Sequence, residues 1–236
     1  SSDVCSSDLI WFTGTIDLLI MLGRYDEART VAQYWVNRDP YCVNCLRRLM
    51  RAAKASGRRE EAVLVLEELG SRSVSSFHFW SIGVAYLSIG RPAKALHYFD
   101  KIDEQFPGID REFARTFALF SLGRKQEFEA TLQKIKSIYE ESGYPEQSAE
   151  GIARLYAWSE QPDEAFYWLD KMIEDEGPES AMLVKTELYD PIKSDPRWTT
   201  FLEKHGASDR DFANIPFDPQ YPPTLQRAVD ALSSHR

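Results

Sequence analysis

Leu22-Gly23-Arg24-Tyr25-Asp26-Glu27-Ala28 is the stretch whose reading decides the fold, because its Gly-Arg, followed five residues after the Gly by a small residue, returns through the chain. It recurs as Gly57-Arg58 with Ala62, as Gly90-Arg91 with Ala95, and as Gly123-Arg124 with Phe128 in the small residue's place. These glycines stand 34, 33 and 33 residues apart, the period of a two-helix repeat. The Gly sits where a first helix, A, must end, and it takes a left-handed backbone there without a Cβ penalty. The acidic pairs Asp26-Glu27, Glu60-Glu61 and Asp163-Glu164 fall in the first turn of the following helix, B, where the helix dipole favours them. Pro92 and Pro162 occupy a first-turn position that needs no N–H, and Pro40 and Pro107 close helix B in repeats one and three. The chain therefore reads as an array with repeats at about 9–42, 43–75, 76–108, 109–145 and 146–177.

Composition excludes several function classes. The formal charge of −9, from 37 acidic and 28 basic residues, argues against general binding to nucleic acid phosphates, which calls for a basic face. A hydrophobic fraction of 43% with 13% aromatics predicts a folded chain. The most apolar run, Leu9 to Leu22, is broken by Asp17 and by Thr13, Gly14 and Thr15, so it predicts a helix of the array and no membrane span. Three cysteines are too few for a disulfide scaffold and leave the compartment open between cytoplasm and periplasm.

Repeat three carries a family resemblance. Ile82, Gly83, Tyr86, Gly90, Ala95, Phe99 and Pro107 fall at the spacing of the tetratricopeptide repeat, with Phe79 in place of that family's tryptophan. Gly83 and Ala95 are the small residues that let the two helices approach, with Tyr86 and Phe99 filling the space on either side. Repeat four departs from the pattern with Thr116 and Phe128, and repeat five with Glu160 in place of the turn Gly. The resemblance covers roughly residues 9–177 and implies an all-α, right-handed superhelix of about five helical hairpins. It implies an interaction or sensory scaffold that binds a protein or peptide in a concave groove lined by the A helices, with no catalysis.

The ends read differently. Residues 1–8 are polar and internally duplicated, and Ser1 to Leu9 resembles translated adapter sequence, which predicts a non-native or disordered leader and a chain that continues upstream. Leu9, Ile10, Trp11, Phe12, Ile16, Leu18, Leu19 and Ile20 make the first helix apolar nearly all round, as if another repeat preceded it. Residues 178–206 predict a C-terminal cap: a short helix from Pro178 to Glu187, then Asp190-Pro191 and Asp195-Pro196, each placing a capping carboxylate before a first-turn proline. The segment from Tyr189 to Trp198 resembles the closing element of tetratricopeptide regions in bacterial signalling chains. There an adenylate or guanylate cyclase or a winged-helix DNA-binding domain often precedes a TolB-like segment and the repeats. The alternative function is accordingly the regulatory region of such a protein. Residues 207–236 hold Pro216, Pro219, Pro222 and Pro223 and predict an extended tail draped over the cap, with a short helix at about 224–232.

Three constellations bear on chemistry. Cys42 and Cys45 form a CxxC; two thiols packed at a repeat junction is the reading taken, with a disulfide-forming or reactive pair and half of a zinc site as alternatives. A closed zinc site needs four ligands, and His78, His97, His205 and His235 are scattered, so no metal is expected. No HExxH, GxSxG, phosphate-loop or dinucleotide pattern occurs, so no catalytic residue and no cofactor are expected. The binding candidates lie on the A helices: Arg47, Arg51 and Lys54 share one face at i, i+4, i+7, followed by Phe77 and Trp80, by Phe113, Phe117 and Phe120, and by Arg154 and Trp158. Cations beside aromatics suit a partner bearing acids and apolar anchors. The competing reading makes the aromatics inter-repeat core and the cations a solvated stripe.

Overall fold

The computed structural model describes residues 6–72, 75–103, 111–142, 149–213 and 215–233, with backbone alone over 6–13 and at 59, 142, 213 and 233. The leader residues 1–5, the side chains of Leu9, Ile10, Trp11 and Phe12, Pro107 and His235 lie outside the described residues. The described chain is all-α, with no strand among those residues. It divides into two compact units, residues 1–73 with 212–236, and residues 74–211.

The first unit contains two consecutive hairpins. Helices α1 (Ser6–Met21) and α2 (Tyr25–Arg38) form one, and α3 (Val43–Ala55) and α4 (Arg59–Arg72) the other. Helix α1 begins three residues before the apolar pattern does. The hairpins pack through α2 on α3 and α1 on α3. Their core is mostly small or aliphatic, with Ala28, Val31, Ala32, Leu46, Leu49, Ala52, Ala53, Leu66 and Leu69 buried beside Trp35. Alanines at these positions bring helix axes close enough for leucines from both sides to fill the interior.

The turn that defines the period is a Schellman motif, repeated. Gly23 N–H donates to the Ile20 carbonyl at 3.1 Å and Arg24 N–H to the Leu19 carbonyl at 2.9 Å, satisfying two carbonyls that the helix end would otherwise orphan. The same pair of bonds closes α3 at Gly57-Arg58, and in the second unit it recurs at Gly90-Arg91, Gly123-Arg124 and Glu160-Gln161. The residue in the first position must have positive φ, from 71° to 76° at the four glycines and 58° at Glu160. The fifth turn thus keeps the geometry without the glycine.

The second unit runs α5 (Ser76–Ser88), α6 (Pro92–Phe99), α7 (Arg111–Ser121), α8 (Lys125–Ser142), α9 (Ala149–Trp158) and α10 (Pro162–Glu176) as three further hairpins. Gly83 in α5 faces the Phe99 ring of α6 so closely that a Cβ would lie 2.2 Å from Phe99 Cε1. The small residue is required by that ring, which takes the space the sequence pattern allotted to approaching backbones. In the fourth hairpin Thr116 is buried and its hydroxyl donates to the Glu112 carbonyl at 2.8 Å, while Phe128 is buried against Phe120 at a ring separation of 5.2 Å.

The C-terminal part keeps a short helix after Gly177, as a 3-10 helix, and corrects the reading of Asp190-Pro191. The segment after Gly177 forms two 3-10 turns, Pro178–Val184 and Glu187–Ile192, and no α-helix before Pro196. Asp190-Pro191 therefore lies inside the second turn and opens no helix; Asp190 instead pairs with Lys193 at 2.7 Å. Asp195 does cap its helix, α11 (Pro196–Lys204), accepting from Arg197 N–H at 2.9 Å. After α12 (Asp209–Ala213) the proline-rich tail belongs to the first unit. Its Phe217 carbonyl accepts from Arg24 Nη1 at 2.7 Å, and the Tyr221 hydroxyl donates to Glu27 Oε1 at 2.9 Å. Prolines leave carbonyls without a local partner, and the Arg24–Glu27 pair at the first repeat turn supplies both a donor and an acceptor. The final helix, α13 (Pro223–Ser233), packs on α2.

Candidate functional site

Helix α3 carries more cations than any other described helix of the first unit. Residues 47, 48, 51 and 54 lie on one side at helical spacing, and the neighbouring α1 brings Asp17 to it. Asp17 Oδ2 accepts from Arg48 at 3.0 Å and its Oδ1 from Arg51 at 2.7 Å, so one carboxylate serves two guanidiniums. Arg47 sits beside them at 8% exposure. Burial, and then the like charges of Arg48 and Arg51, outweigh the attraction of Asp17 and push the Arg47 guanidinium down to about 10. Burial is also the main influence lowering Arg48. A buried cation is costly unless an anion faces it, and Asp17 meets part of that cost here. Arg48 and Asp17 escaped the sequence reading. Arg48 adjoins Arg47, and Asp17 is the charge interrupting the apolar first helix, so both had a signal.

The first turn of α3 corrects the reading of the CxxC. Cys42 and Cys45 are joined as a disulfide with Cα atoms 5.2 Å apart, so they are not two packed thiols. The bridging follows from capping: Cys42 is the N-cap residue, and its Sγ accepts from Cys45 N–H at 3.1 Å, which brings the two side chains together across one turn. Among the described residues no group of acids, histidines and cysteines could hold a metal ion.

The candidates in the second unit are engaged in packing. Trp80 stacks on Phe113 at 6.0 Å and meets Phe117 edge-on at 6.0 Å, and Phe117 is buried. Phe120 lies against Phe128. Trp158 donates from its indole to Ser121 Oγ at 2.9 Å, which ties α9 to α7. Phe77 is exposed. Arg154 is ion-paired with Glu150, a carboxylate only 5% exposed that also accepts from the Tyr189 hydroxyl at 3.2 Å. Burial pushes the Glu150 carboxyl up, against the pull of Arg154 and Tyr189, and burial also pushes the Tyr189 phenol up. Through Tyr189 the 3-10 turn Glu187–Ile192 seats on α9 and touches α5, both A helices. The A-helix side of this unit therefore carries the chain's own segment. The apolar Leu188, Tyr189 and Ile192 were visible in the sequence, but nothing local says which helices they cover.

Residues 7–76 match the family model described as bacterial transcriptional activator domain. No curated protein sequence matches the chain. A crystal structure described as that of YrrB, a TPR protein with an unusual peptide-binding site, is similar at 17% identity over 70% of this chain and 84% of that chain, with a TM-score of 0.43. By its own geometry, with a Schellman turn closing each A helix, each of the two units is all-α and built of successive helical hairpins.

Proposed function

We propose that the chain is a non-catalytic binding module whose α3 face captures an acidic peptide segment of a partner protein. The observation that carries this reading is the excess of guanidinium over carboxylate on α3, with Arg47 buried beside Arg48 and Arg51 and a single Asp17 carboxylate bridging the latter two. An incoming Glu or Asp would relieve that repulsion and gain charge-assisted hydrogen bonds from a bidentate fork. The acidic charge of the rest of the chain steers an acidic ligand toward this one patch. Trp80, Phe113, Phe117, Phe120, Arg154 and Trp158 play no part in this reading, since packing and pairing already engage them, and Phe77 belongs to the second unit and plays none either.

The test is fluorescence anisotropy with labelled peptides in which Glu and Asp alternate with Leu and Phe, against the same peptides with Lys for the acids. Arg51→Glu, at the most open of the three arginines, is expected to weaken binding at least tenfold with far-UV circular dichroism unchanged, and Lys54→Gln is expected to add to the loss. Binding that neither these variants nor the lysine peptides alter would remove α3 from consideration. A second reading draws on the match of residues 7–76 to the bacterial transcriptional activator domain, which favours a regulatory region of a transcriptional regulator. Recovering the coding sequence upstream of Leu9 tests it: a winged-helix DNA-binding domain there supports the reading, and a cyclase or any other neighbour counts against it.

A further inference from the structure

We propose that Cys42 and Cys45 are a reversible dithiol–disulfide site that exchanges electrons with low-molecular-weight thiols and disulfides, with Cys42 as the nucleophile. This is independent of what α3 binds. Four observations carry it. The two cysteines are bonded across the first turn of α3, a CxxC spanning the N-cap and N3 positions. Cys42 is the more open of the two, at 8% exposure against 2% for Cys45, so an incoming sulfur reaches Cys42 first. The helix N-terminus and the backbone N–H of Cys45, which points at Cys42 Sγ, both favour a negative sulfur there. Cations stand close by: α3 has no acid in its first turn, and Arg72 of α4, itself paired with Glu68, donates to the Pro40 carbonyl and lies 5.4 Å from the exposed Tyr41 ring, while Asp39 on the same lead-in accepts from Tyr41 N–H. Arg47 and Arg48 follow within the next turn of the helix.

Starting from the dithiol, the Cys42 thiolate attacks one sulfur of a small disulfide RSSR, forming the Cys42–S–S–R bond and expelling RS⁻. The Cys45 thiolate then attacks Cys42 Sγ, forming the intramolecular disulfide and expelling the second RS⁻. Two electrons pass from the protein to RSSR, and the two cysteine protons end on the leaving thiolates as two RSH. Reduction by an excess of RSH runs the same steps backward. Because the N-cap bond to Cys42 Sγ can form in either state, exchange proceeds without unfolding α3.

The experiment uses the full chain with Cys5→Ser, so that the pair alone reports. Equilibration in buffers of reduced and oxidised glutathione, followed by acid quench, alkylation and mass counting, is expected to show one transition between two free thiols and none, with constant far-UV circular dichroism. Cys45→Ser should accumulate a glutathione adduct at Cys42, and Cys42→Ser should react with oxidised glutathione at least about tenfold more slowly, the order expected when a helix terminus raises thiolate content at neutral pH. A pair that stays reduced in oxidised glutathione, a disulfide that folded protein does not yield to excess thiol, or two thiols alkylating independently would overturn the proposal. Equal rates for the two serine variants would overturn the assignment of Cys42. Should both serine variants lose helical signal, the titration of the Cys5→Ser chain decides alone.

Discussion

Gly83→Ala is the sharpest probe of the hairpin packing, because the cost can be worked from one contact. The added Cβ would stand 2.2, 2.6 and 2.7 Å from Cε1, Cδ1 and Cζ of Phe99, where real Cβ atoms do not go. Phe99 is fully buried and its ring lies 5.7 Å from Trp80, so it cannot swing away without disturbing the next hairpin's aromatics. Forcing one methyl into such a site costs about 1–3 kcal/mol, and a displaced aromatic lies at the upper end. Against this, alanine in a helix interior is favoured over glycine by about 1 kcal/mol. The net expectation is a loss of about 1–2 kcal/mol, read as a lowered urea midpoint at unchanged slope by far-UV circular dichroism. Phe99→Ala alone should cost about 3–5 kcal/mol. In that background the clash is gone and the helix preference remains, so Gly83→Ala should become neutral or stabilising. A Gly83→Ala chain as stable as the wild type, or an equal cost in both backgrounds, would refute the assignment of the small residue to the ring.

Two further substitutions test the turn and the buried carboxylate. Glu160 holds φ 58° where the other four turns use glycine, so Glu160→Gly should raise stability by about 0.5–1 kcal/mol, the left-handed strain relieved less glycine's greater chain entropy; an unchanged or lowered urea midpoint would count against the strain. Glu150 has a folded-state carboxyl raised above its ordinary 4.5 by burial, so the native state holds its proton more tightly than the unfolded chain does. Its contribution to stability is complete below that value and is lost as pH rises through the folded one, the reverse of an ordinary paired carboxylate. Glu150→Gln, which cannot ionise, should narrow the decline in urea midpoint between roughly pH 4.5 and neutrality; a parallel decline in variant and wild type would show that another group is responsible.

The hairpins were legible because the period of the Gly-Arg pairs and the left-handed demand of a helix C-terminus are local properties, decided within six residues of backbone. The departure at Glu160 shows how local: the acidic residue adopts the same turn, since the Schellman bonds from Glu160 and Gln161 to Ala157 and Tyr156 outweigh the Cβ penalty. The cationic side of α3 was legible for a similar reason, as spacing along one helix determines which residues share a face. Asp190-Pro191 shows where local signals mislead: the same Asp-Pro opens a helix at 195–196 and sits inside a 3-10 turn at 190–191, because Tyr189 is drawn to Glu150 and fixes the backbone around it.

What the residues determined by themselves is therefore the repeat, its helices, its turns and the charge along each face, all of which follow from interactions between neighbours in the chain. Tertiary structure alone decided that the aromatics of the third and fourth hairpins close on one another, that the tail returns to Arg24 and Glu27, and that Asp17 bridges two arginines. Those outcomes depend on which surfaces meet across long separations, where burial and the satisfaction of buried polar groups choose among partners that the sequence leaves equally eligible.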